Sequence, residues 1–151
     1  MIPPMRIELS IKRLRAGATL PAYSHGPLED AGLDLCYCGD ETLVLPPGGR
    51  LLCPTGIAIQ LPPGYEGQVR PRSGLAFSRG ITVLNAPGTI DPGYRGEIKV
   101  ILVNLSDAQQ QITPGDRIAQ LVVAQYCGVE LKEVETLDGS RRESGGFGST
   151  G

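Results

Sequence analysis

ITVL-NAPGTIDPGYRG-EIKVILVN, residues 81–104, decides the fold class. Two Pro-Gly pairs, Pro87-Gly88 and Pro92-Gly93, stand five residues apart between two β-type runs. Proline presets φ at the first central position of a turn, and glycine tolerates φ > 0 at the second. The run that follows, Glu97–Val103 (EIKVILV), begins with polar and apolar residues in alternation, as a half-buried strand does. Asn85–Gly96 is therefore expected to be a tight hairpin.

The same punctuation recurs along the chain, at Pro47-Gly48, Pro63-Gly64 and Pro114-Gly115. Between the turns lie β-type runs at 42–45, 51–61, 81–84, 97–104 and 118–126, and the partly alternating 6–14 segment reads as a first strand. No stretch sustains a 3.6-residue apolar period. One or two helical turns are expected after Ser73, in SGLAFS. Many short strands joined by turns predict an all-β fold, a sandwich or a barrel of jelly-roll type.

At 151 residues the chain fits one domain, with a core that needs no disulfide staples. Apolar content of 40% excludes a disordered chain. A net charge of −2 provides no global field for a nucleic-acid backbone, so no nucleic-acid partner is expected. With no apolar run of about 18 residues, no membrane partner is expected either. Residues 1–6 have no apolar core of signal-peptide length. The expected compartment is the cytoplasm if the source is bacterial; nuclear or mitochondrial targeting is not visible. Cys36 and Cys38 are spaced too closely for a usual zinc pair, and the four cysteines read as reduced thiols. The last 14 residues, DGSRRESGGFGSTG, hold five glycines and a single aromatic, Phe147. Such a segment cannot fold alone. The expected organisation is a β-domain over 1–137 and a flexible arm over 138–151.

Four constellations carry chemistry, and each has a plain structural reading beside the functional one. Arg72-Ser73-Gly74, at a helix start, offers outward N–H groups, a guanidinium and a hydroxyl to a phosphate, or is an ordinary cap. In the 85–96 segment, Asp91 is an acceptor near the tip and Tyr94 a flat wall, or the two are a turn residue and a packing residue. Asp34, between leucines, orients magnesium-bound water or faces solvent on an edge strand. Arg117 and Gln120 donate to a phosphate, with Asp116 expected to pair with an arginine for structural reasons.

In order, these segments resemble the five motifs of the trimeric dUTPase family: AGLDL at 31–35, PRSGLA at 71–76, NAPGTIDPGYRG at 85–96, GDRIAQL at 115–121 and RESGGFGSTG at 142–151. The resemblance covers residue 31 to the end. One departure is Arg142-Glu143, where the family often has Arg-Gly; the extra carboxylate is unfavourable beside a triphosphate unless it points to solvent.

The resemblance implies a homotrimer of jelly-roll-like β-barrels with shared sites that take dUTP to dUMP and pyrophosphate. That reaction keeps uracil out of DNA and supplies dUMP for thymidylate synthesis. Asp91 is then the general base and also accepts from the 3′-hydroxyl. Tyr94 packs beneath the sugar and excludes a 2′-hydroxyl. Asn85, with backbone groups near Thr89, Ile90 and Lys99, reads uracil. Arg72, Ser73, Gly74 and Gln120 bind phosphate oxygens, and Asp34 steers waters on the Mg2+ cofactor. Phe147 of the arm closes over the base, Arg142, Ser149 and Thr150 reach the γ-phosphate, and Gly148 belongs to the same substrate-binding set. The competing readings are a dCTP deaminase, or a bifunctional deaminase and dUTPase, on the same fold, and a non-catalytic regulatory module.

Overall fold

The computed structural model describes residue 2 and residues 5–151. It is almost all β, with one short helix. In chain order the elements are β1 (Ser10–Arg13), β2 (Gly32–Cys36), β3 (Leu43–Leu45), β4 (Arg50–Pro54), β5 (Ile57–Gln60), β6 (Tyr65–Arg70), α1 (Ser73–Arg79), β7 (Ile81–Val83), β8 (Gly88–Ile90), β9 (Lys99–Asn104), β10 (Gln110–Ile112) and β11 (Arg117–Gln125). All strand pairs are antiparallel. They form four sheets: β2-β11-β6-β8, β4-β9-β7, and the pairs β1-β5 and β3-β10.

One apolar cluster joins these sheets. Leu35, Leu45, Ile57, Ile81, Leu102, Ile112, Ile118 and Leu121 are each fully buried within it. Every such side chain stabilises the fold by roughly 1.5–3 kcal/mol relative to exposure. Alternation sets which residues point inward: on β9, Val100 and Leu102 are buried, while Lys99 is exposed. Asn104 ends β9 inside the core. Its Nδ2 donates to Leu45 O (3.0 Å) and Ala108 O (2.8 Å), and its Oδ1 accepts from Ser106 N (2.9 Å). The amide is thus satisfied although fully buried, as a core polar group must be.

Three findings change the picture drawn from sequence. Residues 51–61 are not one strand, because Gly56 takes φ +72 and turns the chain between β4 and β5. Residues 85–96 do not form a tight hairpin. β7 pairs with β9, but β8 leaves them and joins β6 in the other sheet. The hairpin is therefore wide, and its loop crosses between sheets. Gly48, Gly64 and Gly115 take the positive φ expected of Pro-Gly turns, whereas Gly88 is taken into β8.

α1 starts after Arg72 and stops at Gly80, whose left-handed φ of 63 lets its N–H reach back to the last carbonyls. Regular structure ends with β11. Among the described residues, the last backbone hydrogen bond to the body is Tyr126 N to Gly64 O. Beyond it, Val129, Leu131 and Leu137 are exposed. No helix among the described residues is long and apolar enough to cross a membrane.

Candidate active site

The wide hairpin encloses a cleft of about 380 Å³. Asn85, Thr89, Ile90, Asp91, Tyr94 and Lys99 line it, with Leu52, Val69 and Glu97. β8 brings Thr89 and Ile90 to the edge of β6, where Gly88 pairs with Val69. A Cβ on Gly88 would lie 3.2 Å from Asn85 Nδ2, so the bare glycine lets the Asn85 amide pack there. Asp91 is exposed, and its carboxylate accepts no hydrogen bond among the described residues. Its carbonyl is the spent group, accepting from Tyr94 N at 3.0 Å. Tyr94 curls over Gly96, and its hydroxyl donates to Glu97 O at 2.8 Å. That bond holds the ring as a wall. Glu97 braces the same loop from behind: its Oε1 accepts from Gly56 N at 2.9 Å, and its Oε2 lies 3.8 Å from Lys99 Nζ.

A second cleft, of about 360 Å³, gathers Asp34, Arg72, Ser73, Gly74 and Gln120. Three motifs far apart in sequence meet here through strand register. Gln120 on β11 faces Asp34 on β2 and Arg70 on β6, so the three form one cross-strand row. Asp34 is the hub. Its Oδ1 accepts from Arg72 Nε (3.0 Å), and its Oδ2 from Ser24 Oγ (3.1 Å) and Arg117 Nη1 (3.3 Å). Because only Nε of Arg72 is spent on Asp34, its terminal nitrogens are left for a ligand. Gln120 Nε2 donates to Pro71 O at 2.9 Å and ties the start of α1 to the sheet. Beside Asp34, burial pushes the Cys36 thiol pKa up and the Asp34 charge adds to the shift, so Cys36 stays a thiol.

Asp116 does not pair with an arginine as expected. Its Oδ2 accepts from Thr113 N at 2.8 Å and closes the turn before β11. Asp34 takes Arg117 instead. Arg117 lines a further cavity, of about 490 Å³, shared with Arg72 and Arg79.

The two clefts share no lining residue. Val69 lines one and Arg70, the next residue along β6, lines the other. Successive side chains of a strand point to opposite faces. Within one chain, Asp91 and Arg72 therefore serve separate openings. The arm joins neither. Arg142 Nε donates to Gly145 O (2.6 Å), Ser149 N donates to Gly146 O (3.0 Å), Thr150 and Gly148 are exposed, and the Phe147 ring stands fully in solvent. Glu143 sits at φ +45, in the left-handed region that glycine adopts most readily. Its carboxylate folds back to accept from Ser140 N at 2.8 Å.

Magnesium can be tested against these donors. Among the described residues, no group of three His, Cys, Asp or Glu side chains is placed to hold a metal ion. A magnesium ion carried mainly by phosphates and water needs only a carboxylate that accepts from its waters. Asp34 offers about four lone-pair sites, and its three donors leave room for one more. The residues fit a water-mediated contact rather than direct coordination.

Sequence reasoning missed Arg70 and Glu97, which line the clefts. Arg70 lies outside every motif, two residues before Arg72, and its place in the cleft follows only from the register of β6 with β11.

Fold and clefts together define a small all-β protein with one cleft in a wide hairpin and a separate arginine-bearing cleft at a helix start. A sequence model of the dUTPase family matches residues 18–151. The deoxyuridine 5′-triphosphate nucleotidohydrolase of Hydrogenobaculum sp. is 54% identical over 145 residues, covering 96% of this chain and 99% of that protein. The protein of the same description from Solibacter usitatus is 52% identical and covers 97% of each. Among solved structures, a mutant dUTPase of Staphylococcus bacteriophage 80alpha with dUpNHpp superposes with a TM-score of 0.85 at 30% identity, over 95% of this chain and 98% of that one. A mutant dUTPase from phage phi11 of S. aureus, described with a structural Mg(II) ion, gives 0.78 at 28% identity, over 88% and 100%. The chain belongs to the dUTPase family.

Proposed function

We propose that this protein hydrolyses dUTP to dUMP and pyrophosphate, in sites shared between the subunits of a homotrimer. One observation carries the sharing: the cleft that holds Asp91 and the cleft that holds Arg72 lie on opposite faces of β6 in the same chain. A single nucleotide meets both sets of residues only if a second chain supplies one of them. A cyclic assembly does this with three equal sites. Leu52 and Leu84, exposed on and beside the β4-β9-β7 sheet, supply apolar surface for such contacts.

In this reading the hairpin cleft takes deoxyuridine. Asn85 and the backbone at Thr89, Ile90 and Lys99 pair with the uracil edge, and the fixed Tyr94 ring leaves no room for a 2′-hydroxyl. The exposed Asp91 carboxylate takes the proton of a water as its oxygen bonds to the α-phosphorus. The bond from that phosphorus to the bridging oxygen breaks, and pyrophosphate leaves. Arg72, Ser73, Gly74 and Gln120 of the neighbouring chain bind the phosphate oxygens and hold the chain of phosphates in line. Magnesium supplies charge neutralisation when it accompanies the triphosphate, and Asp34 is the residue to hold it through water. The 138–151 arm, free of the body in the isolated chain, closes with Phe147 over the base and brings Arg142, Gly148, Ser149 and Thr150 to the nucleotide. The compartment is the cytoplasm if the source is bacterial.

The test is pyrophosphate release from dUTP, UTP, dTTP and dCTP. The reading expects turnover of dUTP alone. Ammonia released from dCTP would assign the fold to a deaminase instead.

A further inference from the structure

Charge in the arginine-bearing cleft is unevenly spent. Its lining includes Arg70 and Arg72 on one side of the ledger and Glu29, Asp30 and Asp34 on the other. Arg72 is ion-paired with Asp34 at 3.0 Å, and Arg117 also leans on Asp34 from the adjoining cavity. Asp30 is turned to His25, accepting from its N–H at 2.5 Å and meeting its Nδ1 at 3.1 Å. Arg70 is different: among the described residues it meets no carboxylate. Its Nε and Nη2 both donate to the neutral Gln68 Oε1, at 2.9 and 2.6 Å, and Gln68 in turn donates to Glu66. The fork is held in place, its Nη1 is unspent, and its charge is not cancelled by contact.

Register puts this group where an anion would lie. Arg70 is directly across from Gln120, which is directly across from Asp34, all on one face of the sheet. Side chains in directly opposed positions stand about 5 Å apart at Cβ. Arg72 enters the same cleft from the start of α1. A phosphate chain lying over Gln120 is therefore flanked by both guanidiniums.

We propose that Arg70 is a further phosphate-binding residue of this cleft. The assignment rests on the reading that the cleft takes the triphosphate of dUTP, and it adds a cation that none of the motifs contains. Arg70 is exposed at the end of β6, so its replacement removes no core contact.

The test compares wild type, Arg70→Gln and Arg70→Lys in two assays: steady-state hydrolysis of dUTP, and calorimetric binding of inorganic pyrophosphate with magnesium. The loss of one charge-assisted contact in a solvated cleft is expected to raise KM and the pyrophosphate Kd by roughly tenfold. Such a contact is made in ground and transition states alike, so kcat should stay within about threefold. Arg70→Lys should recover part of both losses, and the melting temperature should not move. If KM and the pyrophosphate Kd of Arg70→Gln stay within about twofold of wild type, the proposal is overturned and the functional reading survives. A lower melting temperature with unchanged pyrophosphate affinity would also overturn it, by making Arg70 a brace for β6. Wild type that turns over no dUTP, yet binds pyrophosphate through Arg70, would sink the functional reading and keep the proposal.

Discussion

Gly96→Ala tests the Tyr94 wall without removing it. A Cβ at position 96 would fall 2.5 Å from the Tyr94 hydroxyl and 2.7 Å from Cζ. Both distances are far inside van der Waals contact, so the ring must swing away. It then gives up its 2.8 Å hydrogen bond to Glu97 O. That bond is exposed, and the loss costs on the order of 0.5–1.5 kcal/mol, which should lower the melting temperature by no more than a few degrees. The consequence for selectivity is larger. If the ring is what fills the space of a 2′-hydroxyl, its displacement removes roughly 1–3 kcal/mol of discrimination, or about 5–150-fold in the ratio of kcat/KM for dUTP over UTP. Tyr94→Phe, which loses only the hydrogen bond, should shift the ratio less. Pyrophosphate release with both nucleotides reads the effect directly. A ratio for Gly96→Ala within about twofold of wild type would refute the argument that Tyr94 rejects the ribose.

Asp91→Asn should lower kcat by about 10²–10⁴ while nucleotide affinity and melting temperature hold, because an amide cannot take the proton and the native carboxylate braces nothing. Single-turnover pyrophosphate release checks this, and turnover within about threefold of wild type would exclude Asp91 as the base. A pH prediction follows from Cys53, whose thiol burial pushes up to about 11 from 9.0. A raised native pKa contributes stability that is present below the unfolded value and fades as pH climbs toward 11. Thermal melts from pH 8 to 11 should therefore fall less steeply for Cys53→Ala than for wild type.

The strands with strong apolar patterns were legible in the sequence. EIKVILVN becomes β9, and Ile118–Tyr126 becomes β11 almost without adjustment. β6 was not legible, because YEGQVR carries charge and a glycine at its centre. Gly67 is there for packing: a Cβ would lie 3.1 Å from both Ile90 and Leu121. The path of β8 was hidden for a related reason. Two turn signals predict a reversal, but they do not say which sheet receives the residues between them. The motif residues themselves were readable. Their division into two clefts does not follow from the residue pattern, since it depends on which face of β6 each neighbour occupies; only the family resemblance implies it. Nor could the pairing of Arg117 with Asp34 be read, because 83 residues and a strand register separate them.

The central claim is that the subunits share each site; the family resemblance implies that Asp91 and the arm of one site then come from different subunits, and complementation tests this most directly. Chains carrying Asp91→Asn are co-expressed with chains cut after Asp138, each inactive as a homotrimer. A site works when a truncated chain supplies Asp91 and a full-length chain supplies the arm. Random assembly in equal amounts should make about a quarter of the sites whole, the product of two one-half probabilities under cyclic symmetry. Measured dUTP hydrolysis by the mixed trimers, confirmed by native mass spectrometry, is therefore expected near one quarter of wild type per site. Mixed trimers that show only the summed residual activities of the two parents would contradict the account and place Asp91 and the arm of a site in one chain.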